Sequence, residues 1–480
     1  METEIAALVT KYLQELRENN AAVFVGAGFS KAAGYVDWVG LLAPIAAELG
    51  LDARKESVEL VKIAQFHINA HAGNKHELNQ RLINEFSDLH DPTENHAILA
   101  RLPIQTYWTT NYDRLMEKAL EAGGKRVDAK YTNEQLATTR RGRDAVVYKM
   151  HGDVEQPDKA ILARDDYERY HLSHSPFITA LSGDLVEKTF LFLGFSFTDP
   201  NLDYVLGRIR AAFASNQRQH FCITKQRMQV SGESDADFQY AKTKQELTAR
   251  DLMRFNITTV FVEDYPRITD ILRAIERRFR RRTVFISGSA VDYGTWGRAA
   301  VEDFITRLAG ALIDRNYRIA SGFGLGVGSA VVTGAVQQIY SSKNRSLDEQ
   351  IVLRPFPVGI VDNAERQRTF ERYREELIAQ SGVGLFLIGN AIVDGATANA
   401  AGVREEFELA KQKGIYVVPV GSTGSMAREL WNEVMGDFDN YFPGDRGKIR
   451  PLMEAIGKAV SQPVDLLEPI LQLIDHLAEG

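Results

Sequence analysis

The chain has 480 residues, of which 44% are hydrophobic and 25% charged, and its formal net charge is −7. That length exceeds one ordinary core and favours two or three domains of a soluble globular protein, while the negative balance offers nothing to attract nucleic acid or an anionic membrane. Cys222 is the only cysteine, which excludes an intrachain disulfide and a four-cysteine zinc site and fits a reducing compartment. The opening segment is charged and amphipathic without a secretory h-region, and no apolar run approaches the roughly 20 residues of a membrane span. The expected localisation is cytoplasmic.

Ile5, Leu8, Val9, Tyr12, Leu13 and Leu16 have the spacing of a helix face over residues 5–18, ended by Asn19 and Asn20. A short apolar strand at 21–25 runs into Gly26-Ala27-Gly28-Phe29-Ser30, the strand, glycine turn and helix that open a nucleotide-binding α/β unit. Residues 40–100 read as a helical insertion. Three further strands end in polar clusters: 105–109 before Thr110-Asn111-Tyr112-Asp113, 145–150 before His151-Gly152-Asp153, and 189–193 before Gly194-Phe195-Ser196. A parallel sheet places its ligand site at the carboxyl ends of its strands, so all four clusters are expected on one rim. Strand-like pieces at 221–224 and 258–262 lead to the basic run from Arg277 to Arg282, after which the pattern restarts.

Glycine at 26 and 28 lets a pyrophosphate approach the backbone and the helix start, although a plain turn uses glycine equally well. Asn111 offers both donor and acceptor to a water or ribose hydroxyl, Asp113 fixes partner geometry, and His151 suits proton handling near neutral pH. A helix cap and turn would also account for Asn111 and Asp113. His67, His71 and His76 lack cysteine neighbours and the His-Glu-x-x-His pattern; they read as the polar face of a helix, and no metal is expected.

Taken together, GAGFS at 26–30, TTNYD at 109–113, HG at 151–152 and GFSFTDPNL at 194–202 resemble the sirtuin-like domain of bacterial defence proteins, over roughly the first 280 residues. The resemblance implies that Gly26, Ala27, Gly28, Ser30 and Asp113 bind NAD, that Ser196 lies against its adenosine part, and that cleavage depends on Asn111 and His151. Deacylating sirtuins usually carry a four-cysteine zinc module and continue the glycine motif through Gly-Ile-Pro and Phe-Arg, whereas this chain reads Gly34-Tyr35-Val36-Asp37-Trp38-Val39. Both departures favour hydrolysis of NAD to nicotinamide and ADP-ribose over protein deacylation. Asn111 is then expected to position water at the anomeric carbon and His151 to hold ribose hydroxyls or remove a proton.

Past a domain boundary placed at 282, residues 283–480 repeat the α/β rhythm. Strands at 283–286, 317–320, 384–388 and 415–420 are expected, with an amphipathic helical segment from Pro451 that packs on the second domain or on a partner subunit. The turns SGSA at 287–290 and SGFGLGVGS at 321–329 form a double phosphate-binding signal, and the missing ribose-reading acid makes a redox dinucleotide domain a poor alternative. With Gly402-Val403-Arg404-Glu405-Glu406, and more loosely Leu353-Arg354-Pro355-Phe356-Pro357, this order resembles the SLOG superfamily. The fold class is therefore α/β, two Rossmann-like parallel-sheet domains: sirtuin-like over 1–282, with a helical insertion and no zinc module, and SLOG-like over 283–480.

That domain order resembles the effector family of Thoeris antiphage defence. The resemblance implies that a cyclic ADP-ribose isomer, made by a TIR-domain partner, binds the second domain and switches on NAD depletion in abortive infection. Gly288, Ser289, Gly322, Gly324 and Gly326 would meet its phosphates, and Glu406 and Arg374 its ribose and phosphate groups. Arg374 is preferred over Arg366, Arg368 and Arg372, and the bland reading of all four is a solvated helix face. A homo-oligomer of tetrameric units is implied too, and the arginines of 277–282 suggest an interdomain or intersubunit ion network. The rival readings are a non-catalytic NAD or ADP-ribose sensor and a nucleic-acid-associated defence scaffold.

Overall fold

A computed structural model describes residues 2–53, 60–87, 90–213, 216–342, 346–356, 362–444 and 447–479. Parts of the helical block (54–59, 88–89) and Pro357 lie outside the described residues. The chain divides into two compact units, Met1–Glu276 and Arg277–Gly480.

The first unit is built on seven strands: β1 (Ala21–Val25), β2 (Thr106–Thr109), β3 (Val127–Lys130), β4 (Ala145–Lys149), β5 (Thr189–Leu193), β6 (His220–Lys225) and β7 (Ile257–Val262). They pair in parallel in the order β3-β4-β2-β1-β5-β6-β7. Strands β1 and β5 are continuous apolar runs, AAVFV and TFLFL, buried along their whole length, the pattern of a sheet covered on both faces. Phe24, Trp108, Phe190 and Phe192 join one core cluster with Phe177, Leu181 and Leu202 from the covering helices. Sequence reasoning missed β3 because VDAK carries no apolar run. It is an edge strand whose Asp128 and Lys130 are buried and paired with each other at 2.8 Å.

Between β1 and β2 stand the helices Trp38–Glu48, Leu60–Ala70, His76–Phe86 and Glu94–Arg101, as the helical reading of this block anticipated. The first three share a core of Leu42, Ile45, Ile63, Ala64, Leu78 and Leu82, and that core also takes in Tyr112, Leu115 and Leu162. His67, His71 and His76 do not form the polar face of one helix: His67 is 1% exposed, and His76 begins the next helix.

In the second unit β8 (Thr283–Ser289), β9 (Arg318–Ser321), β10 (Ile351–Leu353), β11 (Val383–Ile388) and β14 (Tyr416–Pro419) pair in parallel in the order β10-β9-β8-β11-β14. A hairpin of β12 (Asn390–Val393) and β13 (Ala396–Asn399) follows β11. Its Asp394-Gly395 turn has φ of 51° and 81°. An Asp-Gly pair with both residues at positive φ is a short-range hairpin signal that the reading by apolar runs passed over. Met453, Ile456, Ile470 and Ile474 of the C-terminal helices enter this unit's core beside Val284 and Leu385, so the segment packs on its own domain. Of the arginines at 277–282, Arg281 lies over the Tyr416 ring at 5.2 Å and Arg282 over Tyr317 at 4.9 Å. Among the described residues no helix is long and apolar enough to cross a membrane.

The turns that follow β1 and β5 interlock. Gly26 N–H donates to the Leu193 carbonyl at 3.0 Å and Gly28 N–H to the Gly194 carbonyl at 2.9 Å. Gly194 has φ of 62°, and a Cβ there would stand 2.2 Å from the Phe29 nitrogen. Positive φ disfavours every side chain and the overlap is with backbone, which has nowhere to turn. Gly194→Ala is expected to cost on the order of 1–3 kcal/mol from strain alone, with the overlap adding to it. Urea unfolding checks this, and a curve superimposable on that of the parent would refute it.

Candidate active site

Strand register decides which residues share the carboxyl rim. Val25 of β1 pairs with Thr109 of β2 and with Leu193 of β5, and Thr109 pairs in turn with Lys149 of β4. These four residues form one row across the sheet. The chain leaves that row at Gly26, Thr110, Met150 and Gly194, so the four polar clusters anticipated from sequence do lie along one edge.

Asn111 is 8% exposed and bridges two of these clusters. Its backbone N–H donates to Thr109 Oγ1 at 2.9 Å, and its side-chain Nδ2 donates to the Gly26 carbonyl at 3.0 Å and to Ser30 Oγ at 2.8 Å. The atom facing a carbonyl must be the nitrogen, since the carbonyl only accepts. Both Nδ2 hydrogens are thereby committed, and Oδ1 is the group left to meet a ligand. Sequence reasoning allowed Asn111 either role; in this geometry its Nδ2 is committed within the protein.

His151 is buried, and its Nε2 stands 3.1 Å from Asp199 Oδ2, itself on a side chain 10% exposed. The ring meets Tyr167 edge-on with centroids 5.3 Å apart. Asp199 also accepts the Asn201 and Leu202 N–H groups at 2.9 and 3.0 Å, at the start of the helix Pro200–Phe213. Burial alone would raise the Asp199 carboxyl, but His151 beside it and the two backbone donors outweigh burial and hold it below the ordinary carboxylate range. Asp199 lies inside the GFSFTDPNL motif yet was not singled out from sequence. A carboxylate pair for His151 was the signal to look for, since a histidine that handles protons is usually oriented by one.

Asp113 has a local job. Its Oδ1 accepts the Leu115 N–H at 3.0 Å and its carbonyl accepts Lys149 Nζ at 2.6 Å, while Oδ2 is buried without a hydrogen bond. Lys149 is fully buried; it also donates to the Tyr112 carbonyl at 3.1 Å, pairs with Asp153 and lies 3.3 Å from Glu117. Burial would lower the lysine, but Glu117, Asp153 and Asp113 more than compensate and keep it above its usual value. Neither Lys149 nor Glu117 was foreseen, because inside a strand and a helix they read as ordinary surface charges. Gly26 is buried, Ala27 half-buried and Gly28 exposed, and the amides of both glycines are spent on the β5 turn. Ser30 is buried under Asn111, whereas Ser196 is exposed and bonded to Thr198 at 2.8 Å.

In the second unit the two glycine turns rest on one another. A Cβ at Gly324 would lie 2.0 Å from the Gly288 carbonyl oxygen, and one at Gly326, where φ is 74°, 2.1 Å from that of Ala290. A Cβ at Gly288 would meet the Leu387 carbonyl at 2.5 Å and one at Gly322 the Phe356 ring at 2.8 Å. Ser289 Oγ donates to the Asn390 carbonyl at 2.9 Å. Asn390, which sequence reasoning treated only as a turn residue, accepts the Val291 and Asp292 N–H groups and donates to Ser425, holding the first turn in place.

Beside these turns Glu406 is 7% exposed and accepts the Ser287 hydroxyl at 2.5 Å. Arg374 Nε lies 3.7 Å from Glu406, and its guanidinium pairs with Glu405 and covers the Phe356 ring at 5.4 Å. Burial pushes the Glu406 carboxyl up, against the opposing pull of Ser287 and Arg374. Arg366, Arg368 and Arg372 are exposed, while the Arg374 side chain is 13% exposed. Arg374 and Glu406 are thus brought together.

The depressed Asp199 carboxyl fixes the sign of a pH dependence. Its pairing contributes stability that is present above the unfolded carboxylate value of about 3.9 and is lost as pH falls through the lower folded value. Asp199→Asn should therefore lower the melting temperature clearly near pH 7, and the gap to the parent should narrow toward about pH 3.5. A gap that stays undiminished below the carboxylate range would be incompatible with this pairing.

Comparison with known proteins agrees with this architecture. Residues 105–250 match the SIR2-like domain family, and residues 267–477 match the Sir2- and TIR-associating SLOG family. The chain is 48% identical to NAD(+) hydrolase ThsA of Bacillus cereus (strain MSX-D12), covering 99% of this chain and 98% of that protein. It is 45% identical to NAD(+) hydrolase ThsA of Acinetobacter baumannii (strain 532279), covering 98% and 99%, and 41% identical to that of Cytobacillus dafuensis, covering 100% and 98%. Across both units, the chain belongs to the ThsA family of Thoeris defence.

Proposed function

We propose that the first unit hydrolyses NAD+ to nicotinamide and ADP-ribose, and that a cyclic ADP-ribose isomer bound by the second unit switches this reaction on, so that infection depletes the cytoplasm of NAD+. The observation that carries the catalytic half is the commitment of both Asn111 Nδ2 hydrogens to the glycine turn, which leaves an oriented Oδ1 acceptor on the rim that also bears the His151 and Asp199 pair. Family membership supports the activity. In this reading Gly26, Ala27, Gly28 and Ser30 shape the pyrophosphate and ribose side of the pocket, Ser196 lies by the adenosine, and Asp113 holds the TTNYD turn over Lys149.

The chemistry follows from the bonds involved. The glycosidic electron pair departs with the pyridinium nitrogen, so nicotinamide leaves as a neutral molecule and positive charge develops on the ribose. Asn111 Oδ1 accepts one hydrogen of a water molecule and turns an oxygen lone pair toward the anomeric carbon. That oxygen bonds to the carbon, and the water's proton is released. His151, oriented by Asp199, holds a ribose hydroxyl or takes that proton. In the second unit Gly288, Ser289, Gly322, Gly324 and Gly326 bring backbone close to ligand phosphates, and Arg374 with Glu406 reads phosphate and ribose. The family description as TIR-associating supports a TIR-domain protein as the source of that ligand. Switching requires a ligand that favours one of two arrangements, and we assign those arrangements to a homo-oligomer of tetrameric units.

Full-length protein, NAD+ and a cyclic ADP-ribose isomer test both halves. Asn111→Ala and His151→Ala should each slow nicotinamide release by about 100-fold or more, and parental rates in both would refute the assignment. Arg374→Ala should raise the half-activating ligand concentration by about 10- to 100-fold, the worth of a charge-assisted hydrogen bond. An unchanged activation curve would remove Arg374 from the ligand site.

A further inference from the structure

Three helices of the insertion bring four metal-ligating side chains to one point. His67 lies on the helix Leu60–Ala70, and His71 follows one helical turn later, its N–H still bonded to the His67 carbonyl at 3.1 Å. Glu48 ends the helix Trp38–Glu48, and Glu77 lies in the first turn of the helix His76–Phe86. One ligand atom from each of the four lies within 4.8 Å of all the others. His67 Nε2 is 3.3 Å from Glu48 and 3.1 Å from Glu77, and His71 Nε2 is 3.5 Å from Glu48 and 3.6 Å from Glu77. Four nitrogen and oxygen ligands around zinc, each about 2.0–2.1 Å from the ion, stand about 3.3–3.4 Å from one another in a tetrahedron. The two histidine distances to Glu77 Oε2, 3.1 and 3.6 Å, bracket that edge, and those to Glu48, 3.3 Å to Oε2 and 3.5 Å to Oε1, lie near it.

Two features of the histidines point to an ion rather than to a chance cluster. His67 is 1% exposed; its Nε2 faces the Glu48 and Glu77 carboxylates at 3.3 and 3.1 Å without an aligned hydrogen bond to either, and its Nδ1 makes no hydrogen bond, a costly state for a buried polar ring. His71 Nδ1 lies 2.9 Å from the His67 carbonyl oxygen. That oxygen can only accept, so Nδ1 carries a hydrogen and Nε2 is the nitrogen that faces the carboxylates. A backbone carbonyl fixing the tautomer in this way is the usual outer support of a metal-bound histidine. The side chains of Glu48 and Glu77 are 52% and 60% exposed, so an ion has a way in.

We propose that Glu48, His67, His71 and Glu77 form a zinc site that ties the three helices together. Two imidazoles and two carboxylates suit zinc better than magnesium or calcium, which prefer all-oxygen shells, and two carboxylates neutralise its charge. Four protein ligands leave no open position, so the site is structural. His76, which its spacing groups with the other two histidines, is replaced in the ligand set by two glutamates from neighbouring helices. The proposal is independent of the NAD-cleaving reading.

The test uses tag-free full-length protein, stripped with a chelator and titrated with zinc chloride against a chromophoric competitor. One zinc per chain should bind with submicromolar affinity, and zinc should raise the melting temperature. In the double variant His71→Ala, Glu77→Ala, both sites being partly exposed, affinity should fall at least tenfold and the thermal shift should vanish. The single variant Glu48→Gln guards against misfolding and should weaken binding in the same direction. Absence of stoichiometric zinc in the parent, or undiminished binding and thermal shift in the variants, would overturn the proposal.

Discussion

The side-chain nitrogen of Asn111 is held between the Gly26 carbonyl and the Ser30 hydroxyl, and the rest of the rim is arranged around that bridge. It joins the end of β2 to the turn after β1. That turn is itself locked by backbone hydrogen bonds and close approach to Gly194 after β5. Three neighbouring strands therefore cannot shift independently at their carboxyl ends. The glycines serve this interlock first: they let one turn lie against another, with the Asn111 side chain fixed beside them.

Charge beneath the rim reinforces the arrangement. Lys149 is buried at the end of β4 and ties the TTNYD backbone to Asp153 and Glu117. A buried ammonium is tolerable only with such partners, and removing one would leave an uncompensated charge. The next turn carries His151, whose partner Asp199 comes from the start of a different helix. Polar groups that look isolated in the sequence thus form two layers, one that fixes backbone and one, His151 with Asp199, at the next turn of the rim.

How much was legible depended on the range of the signal. Strands such as β1 and β5 read directly because burial on both faces demands continuous apolar runs, and the polar residues after them marked the rim. The edge strand β3 escaped because Asp128 and Lys130 satisfy one another in space, a pairing that alternation patterns do not carry. The β12–β13 hairpin was announced by Asp394-Gly395 but overlooked in favour of longer apolar segments. Asn111 and His151 were found through their motifs, while Asp199, Lys149 and Asn390 needed three-dimensional neighbours to acquire meaning. The clustering of His67 and His71 with two glutamates from other helices is of the same kind: spacing along one chain segment proposed the wrong third member.

The second unit repeats the device of contacting glycine turns, with Gly324 against Gly288 and Gly326 against Ala290, and sets a buried carboxylate and a shielded arginine beside them. Each sheet thus carries contacting glycine turns and buried charge at one edge. The most direct measurement of the central claim is the product balance after full-length protein consumes NAD+ in the presence of a cyclic ADP-ribose isomer. Free nicotinamide and free ADP-ribose are expected in equal amounts. Intact NAD+ retained on the protein, or nicotinamide formed without matching free ADP-ribose, would contradict it.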